Sequence, residues 1–516
     1  MRFFSLRSWT TLVGFAGVAL SLSLHAAPTL PATTAATPQS PITTREALRA
    51  ELTAFVTAGR FAGAAWGIKI TSLDSGQTLF EYQPDARLSP ASNSKLYVGA
   101  LALEQLGGDY RIITPLLSDA QVTTDGELTG NLVIAGRGDP SWRARRHKPE
   151  FASAFTPFIN ALRAAGVRRI RGDLIADATW LRCLPHGASW TADDLNDYYG
   201  AEVSAITLAE NYVDVRVRPG AAVGEPCAIE ILEPWSGLVV DNRTRTSSAE
   251  SLSTLRVQRL PGSTTVQFFG TLAVDAREEM TEATVPRPAE WFARALKSAL
   301  ADAGIVVEGS ARGVVWPEAP TTEAVEIGAV ASPTMRELVI DFMQVSQNLA
   351  TNLVFAHLGE LRREPATRAW QRSDELALDA LDEFVRGLGI AERDLIFEDG
   401  SGLSRNNLVT AASTVRLLEF MATHREAAAF AESLPLAGRS GSLRRRMKDT
   451  PAEDNLRAKT GTLRWAVAVS GYVRSAAGER LVFSLMLNRH VAAPKRRAHD
   501  ELDALAVMLA RYAGIP

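Results

Sequence analysis

Hydrophobic positions recur along this chain with two different periods, and the order in which the periods appear divides it into three stretches. In the first, apolar residues fall three and four apart over Arg45–Val56, which predicts a helix. "AAWGIKITSLD" and "TLFEYQ" follow, separated by Asp74-Ser75-Gly76, and predict a hairpin. Pro90 then opens a second helical pattern carried by Leu96, Leu101, Leu103 and Leu106 and stopped by Gly107-Gly108. Between about residues 115 and 325 the texture changes to short runs such as "GELTGNLVIAG", "VRRIRGDLIAD", "NYVDVRVRPG" and "TTVQFFGTLAV", punctuated by Gly, Pro and Asp. Only "FASAFTPFINALRAAG" and "PAEWFARALKSALADAG" read as helices there. After about residue 330 helical spacing returns, first over 334–362 as one long periodic run, then in "DELALDALDEFVRGLG" and "AASTVRLLEFMATH". "LRAKTGTLRWAV", "AVSGYVRSA" and "GERLVFSLMLNRH" predict an antiparallel meander with a turn at Ala476-Ala477-Gly478, and a last helix closes the chain.

Helix and strand at the start therefore recur in kind at the end. The simplest arrangement is an α+β domain assembled from residues 45–114 and 325–516, an antiparallel sheet flanked by helices, with a β-rich region of one or two subdomains inserted at 115–324. With 516 residues and 46% hydrophobic content the chain can bury a core of that size. A formal net charge of -3 gives no basis for a nucleic-acid partner.

The first 27 residues combine Arg2 and Arg7 with an apolar run over 12–24 and a small pair, Ala26-Ala27. That is the pattern of a secretory signal peptide, with an uncleaved anchor as the alternative. Residues 28–44 are rich in Pro, Thr and Ala without apolar period and read as a linker. No later apolar run is long enough to span a membrane, so a periplasmic or otherwise exported protein is expected. The two cysteines, Cys183 and Cys227, fit either one disulfide or two free thiols.

Three short polar motifs carry candidate chemistry. Ser92 and Lys95 sit one turn apart at a helix start. A serine hydroxyl needs a base within reach, and a lysine can be one only when burial or a cationic neighbour leaves its amine neutral. A capping serine beside a solvated lysine fits the same spacing, but no other lysine in the chain has a serine three residues before it. Ser346-Gln347-Asn348 places two polar groups inside an apolar helical stretch, where burial would oblige them to find partners. Lys459-Thr460-Gly461-Thr462 opens the meander: a lysine and two threonines suited to a carboxylate, a glycine that lets a backbone come close, and strand N–H groups able to hold an oxyanion.

In that order, on helix, helix and strand, the set resembles the signature of penicillin-recognising serine enzymes. Ser346 follows Ser92 by 254 residues, too far for a compact class A β-lactamase. The long insert resembles the D-alanyl-D-alanine carboxypeptidase/endopeptidase family, the low-molecular-mass class C penicillin-binding proteins. "GRGDPS", "DDLNDYYGAEVSAITLAENY", "EDGSGLSRNN", "PLAGRSGSLRRRM" and "SGYV" extend the likeness over nearly the whole chain after the leader. Gln347 departs from the class A pattern, which has Asp there. The resemblance implies Ser92 as the acylated nucleophile, Lys95 as its base and Ser346 as the relay to the leaving group. It implies Asn348, Lys459, Thr460, Gly461 and Thr462 as substrate-binding residues, with the N–H groups of Ser92 and Thr462 as the oxyanion hole. Peptidoglycan stem peptides and β-lactam antibiotics are the implied ligands, and no cofactor or metal is. A β-lactamase or esterase on the same fold, or a cell-wall-binding protein without activity, are the rival readings. "DGSGLSRNN" fits a loop at the edge of the site and a surface turn equally.

Overall fold

The computed structural model describes residues 42–143, 151–233, 235–318, 325–493 and 496–514. The signal-peptide expectation, and the linker up to residue 41, lie outside them. Ten helices are found among them: α1 (Arg45–Val56), α2 (Ser94–Gln105), α3 (Thr156–Ala164), α4 (Pro288–Asp302), α5 (Met335–Val345), α6 (Asn348–Leu361), α7 (Ser373–Gly387), α8 (Ala411–Thr423), α9 (Ala427–Ser433) and α10 (Ala498–Arg511). None is long and apolar enough to cross a membrane.

The meander at the end of the chain and the hairpin near its start form one antiparallel sheet. Its order is Arg457–Leu463, Ala466–Arg474, Arg480–Asn488, Ala65–Ser72, Thr78–Tyr82. Alternation along the central strand sorts two cores. Leu481, Phe483, Leu485 and Leu487 face α1 and α10 through Leu48, Leu52, Leu502 and Leu505. Val482 and Met486 face the other way, toward Leu96 of α2, Phe342 of α5 and Leu417 of α8. Both faces are covered, so that strand is buried from Leu481 to Asn488. Ile42, at the end of the expected linker, is fixed to the last turn of the chain, where Ala513 N donates to its carbonyl at 2.8 Å.

The strands Arg111–Ser118 and Val325–Thr334 lead into and out of the middle region, pair with each other, and join its five-stranded sheet. Two inner strands of that sheet, Leu132–Ala135 and Leu174–Asp177, run parallel to each other and bury every residue. Three three-stranded sheets complete the region. Its core does not stop at the region's edge: Leu349, Leu353 and Ala356 of α6 pack into it. α6 is thus the shared wall of the two halves.

Two expectations change. The long helix over 334–362 is two helices, because Ser346 takes a left-handed backbone (φ +62) and caps α5 while Gln347 caps α6, its side chain accepting from Ala350 N at 2.7 Å. Ser346 and Gln347 therefore form a junction rather than a stretch of helix. Cys183 and Cys227 are both free thiols, so the bridged reading fails.

Candidate active site

Ser92 sits in a single 3-10 turn, Ala91–Asn93, that runs straight into α2. The turn is tightly held. Asn93 Nδ2 donates to Ser470 Oγ at 2.8 Å, and Ser470 passes its hydrogen to Ser484 Oγ at 2.9 Å, tying the turn to two strands of the sheet. Ser94 Oγ accepts from Asn407 Nδ2 at 3.1 Å on the opposite side. Two glycines give it room. A Cβ on Gly461 would lie 2.3 Å from Pro90 O, and one on Gly402 would lie 1.9 Å from Ala91 O. The close approach that Gly461 permits is thus to the turn bearing Ser92, where the sequence pointed to a substrate backbone. Ala91 itself has φ +47, a strain of about 1–3 kcal/mol that these contacts overcome.

Lys95 follows on the first turn of α2 and is fully buried. Its Nζ lies 3.0 Å from Ser92 Oγ, 2.6 Å from Asn348 Oδ1 and 2.7 Å from the carbonyl of Ser401. Asn348 and Ser401 offer only acceptors to it, whereas Ser92 can donate or accept. A neutral amine has two N–H bonds and one lone pair. Those bonds go to Asn348 and Ser401, which leaves the lone pair for the Ser92 hydroxyl. Burial brings the Lys95 pKa down to about 7, against the opposing pull of the Asp399 carboxylate.

The junction between α5 and α6 supplies the third side. Ser346 Oγ accepts from Lys459 Nζ at 2.8 Å, and the same amine donates to Thr460 O at 2.7 Å. Lys459 is also fully buried; desolvation, helped by the charge of Lys95, holds it well below the ordinary lysine range. Repulsion between two ammonium groups is mutual, so it disfavours the state with both charged. Asn348 Nδ2 donates to the carbonyl of Tyr199 at 3.0 Å, which fixes the amide with its oxygen toward Lys95. Thr460 Oγ1 is 2.6 Å from Ser442 Oγ, and Thr462 stands exposed at the rim. A two-residue loop, Arg464-Trp465, joins Leu463 to its partner Ala466. In such a hairpin Leu463 and Ala466 form the hydrogen-bonded pair, so the N–H of Thr462 points to the open edge of the sheet. The Ser92 N–H lies in the first turn of a helix, where no intrahelical acceptor exists.

The structure therefore brings together all eight residues singled out in the sequence, around a cleft of about 680 Å³. Ser92, Ser346, Asn348, Thr460 and Thr462 line it on one side, and Asp194 and Tyr199 of the middle region line it on the other. Sequence reasoning missed the Ser401 carbonyl, the Tyr199 carbonyl and Ser442. The first of these lies in "DGSGLSRNN", so that stretch is a loop of the site; its Gly402, at φ +81, was the available signal.

Comparison with known proteins places the chain in a family. The family described as D-Ala-D-Ala carboxypeptidase 3 (S13) matches residues 48–511. A D-alanyl-D-alanine carboxypeptidase from an Actinomadura species is 34% identical over 478 residues, covering 90% of this chain and 85% of its own. The D-alanyl-D-alanine carboxypeptidase DacB of Haemophilus influenzae is 24% identical over 429 residues, covering 83% of this chain and 86% of its own. The crystal structure of penicillin binding protein 4 (dacB) from Haemophilus influenzae superposes with a TM-score of 0.75 at 22% identity, over 88% of this chain and 97% of that one. The α+β fold expected from the sequence, a penicillin-recognising domain with inserted β-rich regions, is thus the fold observed. With the family match spanning residues 48–511, the chain belongs to the D-Ala-D-Ala carboxypeptidase 3 (S13) family of peptidases.

Proposed function

We propose that this protein is an exported serine DD-peptidase of peptidoglycan, acting through an acyl-enzyme on Ser92. The single observation that carries the reading is the Lys95 amine, buried and placed 3.0 Å from Ser92 Oγ with its two other contacts made to pure acceptors. That arrangement suits a base and has no use in a passive binding site.

In this reading the Ser92 hydroxyl gives its proton to Lys95 as the oxygen attacks the carbonyl of the penultimate D-alanine of a stem peptide. Charge developing on that carbonyl oxygen is held by the N–H groups of Ser92 and Thr462, each such donor contributing about 3 kcal/mol. Because Lys459 donates to Ser346, the Ser346 hydroxyl hydrogen stays free for the leaving nitrogen. The C–N bond breaks, the nitrogen takes that proton, Ser346 is reprotonated through the lysines, and D-alanine leaves. Water then attacks the Ser92 ester, and a proton returns to Oγ as the peptide acid departs. Asn348 holds Lys95 and the substrate amide, while Thr460 and Thr462 receive the terminal carboxylate beside Lys459. The same steps cleave a D-alanyl cross-link when the leaving amine belongs to a second stem. A β-lactam carbonyl would enter as the stem carbonyl does and acylate Ser92. The N-terminal segment would direct export to the periplasm or beyond.

The test is release of free D-alanine from a soluble stem pentapeptide. Wild type releases it and Ser92→Ala does not; binding without release, or equal release by both, would overturn the proposal.

A further inference from the structure

The inserted region reaches the candidate base through one carboxylate. Asp399 is 5% exposed, and five donors converge on it. Four come from its own loop: Ser401 Oγ at 3.0 Å, Gly402 N at 2.8 Å, Ser404 N at 3.1 Å and Asn407 Nδ2 at 3.1 Å. The fifth is the indole Nε1 of Trp190, at 2.9 Å, from the inserted region. Three further links from the same segment clamp the loop. Ser189 Oγ donates to Glu398 Oε2 at 2.8 Å and accepts from Asn406 Nδ2 at 2.6 Å, and Asp194 receives both arms of the Arg405 guanidinium at 2.6 and 3.0 Å. The loop so held presents the Ser401 carbonyl to Lys95, and Asn352 Oδ1 receives the Ser401 N–H at 2.9 Å.

A carboxylate with five donors is satisfied as an anion, and a buried anion needs a cation or a reason to exist. A loop that merely had to hold its shape could use an apolar plug at lower cost. Here the anion lies where its charge acts on a buried amine.

We infer that Asp399 and Trp190 are positioning residues for Lys95: the inserted region, through Trp190, holds Asp399, and Asp399 in turn sets the place of the Ser401 carbonyl and puts a buried negative charge in the loop that contacts the amine. This rests on the reading of Lys95 as base. Removing the charge favours the neutral amine, so Lys95 should lose its proton at lower pH. Loosening the anchor without removing the charge should slow the reaction and leave that pH unchanged. Other titratable groups around the pair are Lys459 from the sheet, Glu398 and Arg405 on the loop, and His186, Cys183 and Asp374 around the small cavity behind it. They are common to all the variants, so differences between profiles report Asp399 alone.

The experiment is the pH profile of the second-order rate of acylation by a fluorescent penicillin, for wild type, Asp399→Asn and Trp190→Phe. The expected result is an acid limb moved down by about one pH unit in Asp399→Asn. Trp190→Phe is expected to keep the limb in place with a rate lower by about tenfold or more. An Asp399→Asn profile superposing on wild type, or a Trp190→Phe rate equal to wild type, would overturn the inference. Should Asp399→Asn fail to melt cooperatively, the Trp190→Phe rate decides alone. A wild type that takes no label sinks the proposed function itself; a labelled wild type with unaltered variants sinks only the role of Asp399 and Trp190.

Discussion

Lys95 Nζ lies 2.6 Å from Asn348 Oδ1, joining the first turn of one helix to the first residue of another across 253 positions of sequence. The contact depends on the break at Ser346. Were α5 and α6 a single helix, Ser346 and Asn348 would point about 200° apart and could not both face the cleft. The left-handed residue lets one reach Lys459 while the other reaches Lys95.

The acylation rate should follow the neutral fraction of Lys95. With that amine near pH 7, the rate should rise about tenfold per pH unit below 7 and level off above it. Lys95→Arg, whose guanidinium stays charged, should lose at least about a hundredfold at every pH. Stopped-flow acylation over pH 5 to 9 measures both.

Asn348→Asp should move the limb the other way. The change is nearly isosteric and puts an anion 2.6 Å from the amine, which favours its charged form. Acylation at pH 7 should fall, and the limb should move to higher pH by about 1–3 units. A limb that stayed in place would show that Lys95 is not the group titrating.

Folding stability should report the same proton. The Lys95 pKa in the folded state, about 7, is below its unfolded value of about 10.4, so between these values the unfolded chain binds the extra proton. Stability therefore rises with pH across that window, by about 1.4 kcal/mol per unit for this one group. Lys459 is shifted in the same direction and adds to the slope. Lys95→Met should flatten the rise of melting temperature between pH 7 and 9 without abolishing it.

Gly461→Ala and Gly402→Ala should each cost about 2 kcal/mol or more, because the added carbon meets a backbone carbonyl that cannot swing away. Both should slow acylation as well, since the carbonyls they press on belong to the turn of Ser92. Gly59→Ala, where nothing lies within 4 Å, is the control and should change the melting temperature little. Thermal melts and penicillin labelling of the three variants check this.

The sequence carried the elements whose periodicity was undisturbed and the polar side chains that meet at the cleft. It did not carry the break at Ser346, since apolar residues run through Val345 and Leu349 with helical spacing and neither Gly nor Pro marks the turn. Nor did it carry the pairing inside the middle region. Leu132–Ala135 and Leu174–Asp177 are buried on both faces, and a parallel strand so placed has no alternation to read. Ser401 and Tyr199 act through their carbonyls, and a carbonyl is the same at every residue. What could be seen was indirect: a glycine-rich polar stretch whose Gly402 the fold requires at φ +81.

The central claim, that Ser92 is the nucleophile of an acyl-enzyme, is tested most directly by the mass of the intact protein after incubation with benzylpenicillin. The account predicts one added penicilloyl group, mapped by peptide digestion to Ser92, and no addition in Ser92→Ala. No adduct on the wild type, or an adduct that persists in Ser92→Ala, would contradict it.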